Sequence, residues 1–300
     1  MSNRFKPHLA LVAVQILFGI WPIFGKIVLR SMSSPSLVVI RITGAAVALA
    51  LLQRRLTPLL RMPAKDIGLL TLCSLLGVVG NQLLYVKGLS LTTVINATLL
   101  STMIPVYALA VSVLLGYERG SLKTLAGIVV SAAGVIYLVN PAHAELNAQT
   151  TTGNLLLLAN SFIYAIYIVI SKDLFERYGA LNVVTWIFLI GAVMTVPVGI
   201  YSLQNENLAA ISGMVWLAVA FIILLPTVGA YYLNAWALTR VAPSTVATYI
   251  YLQPLIAFGL APIFLGESWN WRTIVAAMFI FGGVALVTSD NDRQTHVSVT

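Results

Sequence analysis

The sequence predicts an all-α membrane protein with ten transmembrane helices in a five-plus-five inverted repeat and both termini in the cytoplasm. Three observations predict it. First, of the 300 residues only 9% are charged and 59% are hydrophobic, whereas about a quarter of a soluble domain is charged. Second, the apolar residues gather into ten runs, each near the roughly 20 residues that cross a hydrocarbon core about 30 Å thick. Third, the chain resembles itself at a shift of 149 residues. The runs leave no room for a soluble catalytic domain.

The runs are continuous and lack the two-residue alternation of a barrel strand, so they read as helices. The first, Leu9–Val28, carries Gln15 and Pro22, and no small-residue cleavage site follows it, so Met1 onward is expected to be retained. The second, Ser36–Leu52, contains Arg41, the one cation inside a span. The third, Ile67–Val86, brings Asn81 and Gln82, and the fourth, Thr93–Leu115, brings Asn96 and Pro105. The fifth, Leu122–Val139, has no amide away from its ends. Asn160 lies in the sixth, Asn154–Ile170, and the seventh, Val183–Ile200, again has no interior amide. The eighth, Met214–Leu238, holds Pro226 and Asn234, and the ninth, Thr245–Leu265, holds Gln253 and Pro254. The tenth, Thr273–Val287, is apolar with Gly282-Gly283 inside it and reads as packing or lipid-facing.

Lys and Arg set the orientation. With the N-terminus inside, twelve basic residues fall on the cytoplasmic side and four (Lys26, Arg30, Lys87 and Arg272) on the other. The net charge of +8 is therefore a topology signal and does not point to nucleic acid. Arg41 enters the second span about 7–8 Å from its outer end at 1.5 Å per residue; a side chain at that depth is expected to snorkel to the interface, with binding of an anionic substrate group as the alternative. Cys73 is the single cysteine, so no disulfide framework or thiolate metal site is available.

The repeat is carried by unusual residues. The shift of 149 places Pro105 on Pro254, Glu118 on Glu267 and Gly134-Val135 on Gly283-Val284, with Lys123 opposite Arg272. The chain divides into residues 1–145 and 146–300, each with five spans. Five is odd, so the second copy enters the membrane from the opposite side, which is the arrangement of alternating-access carriers with a site near the midplane. Glu118 and Glu267 follow the fourth and ninth spans, and local pairing with Lys123 and Arg272 is expected of them.

Intramembrane catalysis needs groups that are missing at depth. No Asp or Glu falls inside a span, and His8, His143 and His296 lie outside them, so aspartyl, metallo and Ser-His chemistries are disfavoured. The same lack argues against carboxylate-based proton coupling. No cofactor or metal is expected.

What depth does hold is amides, phenols and prolines. An amide in hydrocarbon needs a partner or a wet cavity. The interior amides fall on spans 1, 3, 4, 6, 8 and 9, three pairs related by the repeat, which are inferred to line a central cavity. Asn160, Tyr164 and Tyr167 share a helix face at i, i+4, i+7, as do Gly77, Asn81 and Tyr85, and Thr227, Tyr231 and Asn234. Such faces suit an amphipathic small molecule, and the same residues also serve interhelical hydrogen bonding. The candidate substrate-binding set is Gln15, Trp21, Asn81, Tyr85, Asn96, Asn160, Tyr164, Tyr167, Tyr231, Asn234, Tyr249 and Gln253. Pro22, Pro105, Pro226 and Pro254 free backbone carbonyls and are candidate helix breaks or hinges.

Ala235 to Thr245 (AWALTRVAPST), Gln253-Pro254-Leu255, Leu265-Gly266-Glu267 and Gly282-Gly283-Val284 together resemble the repeat of the EamA-type drug/metabolite transporters. Pro105, Glu118, Gly127 and Gly134-Val135 form a weaker first copy; Ala276 stands opposite Gly127, and Phe18-Gly19 stands where many members have Trp-Gly. The resemblance implies a ten-helix carrier of the cell inner membrane in which helices 1, 3, 4, 6, 8 and 9 surround the cavity and 5 and 10 lie outside. It also implies a small-molecule substrate, with export of amino-acid-like or aromatic metabolites as the leading expectation. An exchanger of phosphorylated or nucleotide-linked metabolites and a non-transporting scaffold or receptor are the alternatives. A reporter enzyme fused after Thr300 is expected to report a cytoplasmic C-terminus; an external signal would reverse the orientation.

Overall fold

A computed structural model of the chain describes residues 6–53, 59–116, 121–139, 148–241, 246–247 and 249–297. Among these residues every regular element is a helix. In chain order they are α1 (Lys6–Val28), α2 (Ser34–Leu52), α3 (Ala64–Leu91), α4 (Val94–Leu114) and α5 (Leu122–Val139). The second half follows with α6 (Ala148–Tyr178), α7 (Ala180–Leu203), α8 (Gly213–Leu238), α9 (Tyr249–Leu265) and α10 (Trp271–Val297). Seven of them, α1 to α4 and α6 to α8, are long and apolar enough to cross a membrane, and α5, α9 and α10 hold shorter apolar stretches. Each predicted span overlaps one helix. Several helices run further than apolarity indicated, most of all α6 and α10, because a helix bonds its own backbone as well in an interface as in hydrocarbon.

Local chemistry sets the ends. Pro35 sits in the first turn of α2, where a missing N–H costs nothing. Thr93 caps α4 by accepting from the Asn96 N–H at 3.1 Å, and Ser212 caps α8 through the Val215 N–H. Gly266 closes α9 in the left-handed conformation (φ 69°), its N–H bonded to Pro262 O. Gly179 (φ 81°) separates α6 from α7, which would otherwise run on as one helix.

Four helices are interrupted, in pairs. α3 opens into a π-helical turn at Leu75–Gly80, and α8 does so at Ile223–Gly229 around Pro226. α4 breaks at Thr102, three residues before Pro105; α9 changes from a 3₁₀ turn, Tyr249–Tyr251, to α-helix three residues before Pro254. Thr102 and Tyr251 are 149 residues apart, the period of the sequence repeat. Proline removes a donor and crowds the preceding turn, so the ladder reorganises there. The match is not strict: α1, α7 and α9 run unbroken through Pro22, Pro197 and Pro262, and the π turn of α3 contains no proline.

Packing follows the same pairing. α1 lies against α8 and α9, and α6 lies against α3 and α4; α2 packs on α7, and α5 on α10. Exchanging each helix for its counterpart five places along leaves this scheme unchanged. The outward surfaces are apolar, with Leu51, Leu114, Leu122, Val193, Met214 and Ile263 exposed. Such a surface suits lipid and would be a liability in water.

The charged residues work at helix ends. Asp66 at the start of α3 accepts from Arg177 Nη1 at 2.7 Å and Tyr178 OH at 2.6 Å at the end of α6. Lys26 donates to the carbonyls of Leu89 and Thr92 where α3 ends. Glu267 departs from the expected local pairing. Its carboxylate accepts from the Val94 and Ile95 N–H groups (2.8 and 3.1 Å) and so caps α4, whereas Arg272 Nε donates to Tyr137 O at 2.7 Å. Unpaired N–H groups and the helix dipole reward a carboxylate more than an exposed ion pair does. Glu118 lies outside the described residues.

α3 crosses α6 backbone to backbone at close range. A Cβ on Gly88 would come within 2.9 Å of Gly153 O, and one on Gly153 within 2.9 Å of Gly88 O. Backbone cannot swing aside as a side chain can, so small residues are required here. Gly88→Ala or Gly153→Ala is expected to lower the melting temperature by several degrees, about 1–3 kcal/mol of overpacking. Gly68→Ala, where a Cβ meets nothing within 4 Å, should leave it unchanged in the same fluorescence melt.

Candidate functional site

The helix breaks surround a small cavity of about 60 Å³ between the two halves. α1 contributes Phe18 and Trp21, α3 Asn81 and Tyr85, α4 Ser101 and Ile104, and α6 Asn160 and Tyr164. Tyr231 of α8 and Gln253 of α9 complete the six expected helices. A seventh, α2, enters through Arg41.

The amides and phenols tie helices together while they face this space. Asn160 Nδ2 donates to Asn81 O at 2.7 Å, joining α6 to α3 just past the π turn. Tyr231 OH donates to Gly77 O and Asn81 Oδ1 at 3.2 and 3.3 Å, joining α8 to the same turn. Gln253 Nε2 donates to Gln15 Oε1 at 2.6 Å, joining α9 to α1, with Gln15 buried. Rings complete the wall: Trp21 lies 5.7 Å from Tyr85, and Phe18 meets Tyr231 edge-on at 6.1 Å.

Arg41 was expected to snorkel. Instead it is 3% exposed, and its guanidinium lies 4.0 Å over the Trp21 ring. Its Nε donates to Thr227 Oγ1 at 2.6 Å, and that hydroxyl donates onward to Ile222 O at 2.7 Å. Pro226 has no N–H for the Ile222 carbonyl; in the π turn that carbonyl is served by Thr227 instead, whose hydroxyl also donates to it and is held by the arginine. The reach of a side chain does not say which way it faces. Arg41 faces Trp21 and α8, where a ring face and a hydroxyl receive it.

Several sequence candidates stand elsewhere. Tyr167 does not line the cavity: its ring covers Gly77, where a Cβ would fall 2.4 Å away, and packs on Tyr164 and Phe175. It shares a face with Asn160, but seven residues carry it about 10 Å along the axis, past the cavity. Asn234, one turn beyond Tyr231, is buried and also absent from the lining. Asn96 belongs to a network at the start of α4, where its Nδ2 donates to Thr92 Oγ1 at 3.2 Å. Tyr249 hydrogen-bonds His8 Nδ1 at 2.8 Å where α1 and α9 begin. Of the prolines, Pro105, Pro226 and Pro254 adjoin breaks, and Pro22 does not. Phe18, Ser101 and Ile104 were missed. A search for amides and phenols passes over apolar and hydroxyl residues, although Ser101 sits one turn before Pro105, where a break was expected.

Known proteins resemble this chain over most of its length. An uncharacterized transporter of Archaeoglobus fulgidus is 28% identical over 72% of this chain and 75% of its own. A probable terminal-alkyne amino-acid exporter of Streptantibioticus cattleyicolor is 27% identical over 82% of this chain and 81% of its own. A protein of known crystal structure, 20% identical, superposes with a TM-score of 0.65 over 95% of this chain and 98% of its own, a likeness of fold. The model of the EamA-like transporter family matches twice, at residues 5–140 and 151–289, one match for each half. With that double match and apolar helices facing outward, the chain is an integral membrane protein and a transporter, and it belongs to the EamA-like transporter family.

Proposed function

We propose that the protein is an alternating-access carrier that exports amino-acid-like or aromatic metabolites across the cell inner membrane. In this reading all ten helices cross the bilayer, residues 1–145 and 146–300 are inverted copies, and both termini are cytoplasmic. The observation that carries it is the cavity between the halves, walled by amides, phenols and rings at mid-helix. Binding sites of this kind combine apolar area with a few placed polar groups. The paired breaks in α3, α8, α4 and α9 support the mechanism, because two related halves broken at corresponding points can rock about a shared site. The direction and the substrate class rest on the relative named as an amino-acid exporter and on the aromatic lining. An exchanger of phosphorylated metabolites would need several cations at depth, and the cavity lining contains one, Arg41.

Asn160→Ala and Tyr164→Ala should each reduce flux of aromatic amino acids in proteoliposomes by about tenfold, the equivalent of one hydrogen bond of about 1.4 kcal/mol. Folding should survive, since interhelical bonds in membranes average about 0.6 kcal/mol. Wild-type flux in both variants at matched protein amount would remove these residues from the site.

Labelling gives an independent check of the wall. The native Cys73 is buried, so it leaves little background. Asn160→Cys and Tyr164→Cys should react with a water-soluble thiol reagent, and Tyr167→Cys should not. Equal reaction at all three positions, or at none, would contradict the cavity as drawn.

A further inference from the structure

We infer that Arg41 is the anion receptor of the cavity and that the transported compound bears a carboxylate on an aromatic or otherwise apolar body. This rests on the carrier reading and deepens it. An arginine at depth is costly unless something compensates its charge. Of the carboxylates whose side chains are described, Asp66 is committed to Arg177 and Tyr178, Glu267 to the start of α4 and Glu206 to the Ser33 N–H, while Asp173 and Glu176 are exposed. None of the described ion pairs includes Arg41. The guanidinium has a hydroxyl and a ring to hold it in place but no protein anion to neutralise it.

The way it is held selects what can bind. Nε is occupied by Thr227, which is itself fixed on Ile222 O, and Trp21 covers one face. The side-on approach through Nε is therefore closed. The hydrogen bond seen for Arg41 uses Nε alone, and Arg41 borders the cavity, so its two terminal nitrogens are the ones left to face an incoming anion. A carboxylate presents two oxygens to two such nitrogens in the bidentate fork that guanidinium favours. A single fixed cation balances one carboxylate, whereas a phosphate monoester dianion would keep one charge unpaired. Trp21, Tyr85, Phe18 and Tyr231 then offer ring faces and edges to the rest of the molecule. A substrate ammonium would meet neutral oxygens and ring faces but no carboxylate, and Arg41 would repel it, so an amine without a carboxylate is the weaker ligand.

The test uses the purified full chain and four probes: 3-phenylpropionate, L-phenylalanine, phenethylamine and phenyl phosphate. Thermal shift and intrinsic tryptophan fluorescence give affinity, and proteoliposome flux gives transport. The two carboxylates should stabilise the wild-type protein and be carried, while phenethylamine should do neither. Arg41→Gln keeps a donor for Thr227 but removes the charge, and should weaken both carboxylates at least about tenfold. Arg41→Lys, a point charge without the fork, should fall between. If Arg41→Gln is not monodisperse on size exclusion, Arg41→Lys and Thr227→Val decide, each expected to weaken the carboxylates.

Phenethylamine binding and flux equal to those of 3-phenylpropionate, or wild-type affinity in the folded variants, would overturn the inference and leave the carrier intact. Preference for phenyl phosphate would overturn it in favour of the exchanger. Absence of both binding and flux for all four probes would sink the proposed substrate class together with this inference.

Discussion

Hydrocarbon offers no hydrogen-bond partners, so each polar group that this chain takes to depth has to be met by the chain itself or by what enters the cavity. The Arg41–Thr227–Ile222 relay shows how far that requirement reaches. Pro226 has no N–H for the Ile222 carbonyl; the ladder shifts to a π turn; the Thr227 hydroxyl adds a bond to that carbonyl; and an arginine on another helix holds the hydroxyl in place. A break in one half of the molecule thus fixes a cation contributed by the other. Asn160 on Asn81 O, Tyr231 on Gly77 O and Gln253 on Gln15 answer the same demand. Each bond crosses between helices at or beside the cavity, so the polar wall and the helix contacts are one structure.

The backbone approaches are the apolar counterpart. Gly77 receives the Tyr167 ring, Gly88 and Gly153 receive each other, and Gly134 of α5 receives Phe279 and Ile280 of α10. Helices in a bilayer gain little from excluding lipid from one another, so contact has to come from fit. Fit of this kind between α3 and α6 keeps the π turn of α3 against Tyr167, which in turn keeps Asn81 within reach of Asn160 and Tyr231. The charged residues act further out, where water can help: Asp66, Lys26 and Glu267 each tie one helix end to another.

Much of this was legible before any coordinates. The bilayer imposes a length on apolar runs and forces helices, so composition and run length suffice for fold class. Duplication leaves prolines and acidic residues at a fixed spacing, and the helix breaks then fall 149 residues apart as the repeat requires. Amides at depth are rare enough to single out six cavity helices.

What sequence could not supply was azimuth and length of reach. Tyr167 lies on the same helical face as Asn160, yet the cavity ends before it, because a face is a line along a helix and a cavity occupies only part of that line. Glu267 caps a helix remote in sequence and Arg41 turns inward, since both choices depend on which unsatisfied group lies within a few ångströms in space. Run length, charge bias and repeat spacing are properties of the chain alone, so the sequence by itself determined the helical membrane fold, its duplication and the types of side chain at the centre. Only the tertiary structure decided which of those side chains meet, because hydrogen bonds and ring contacts act over distances that neighbouring helices set.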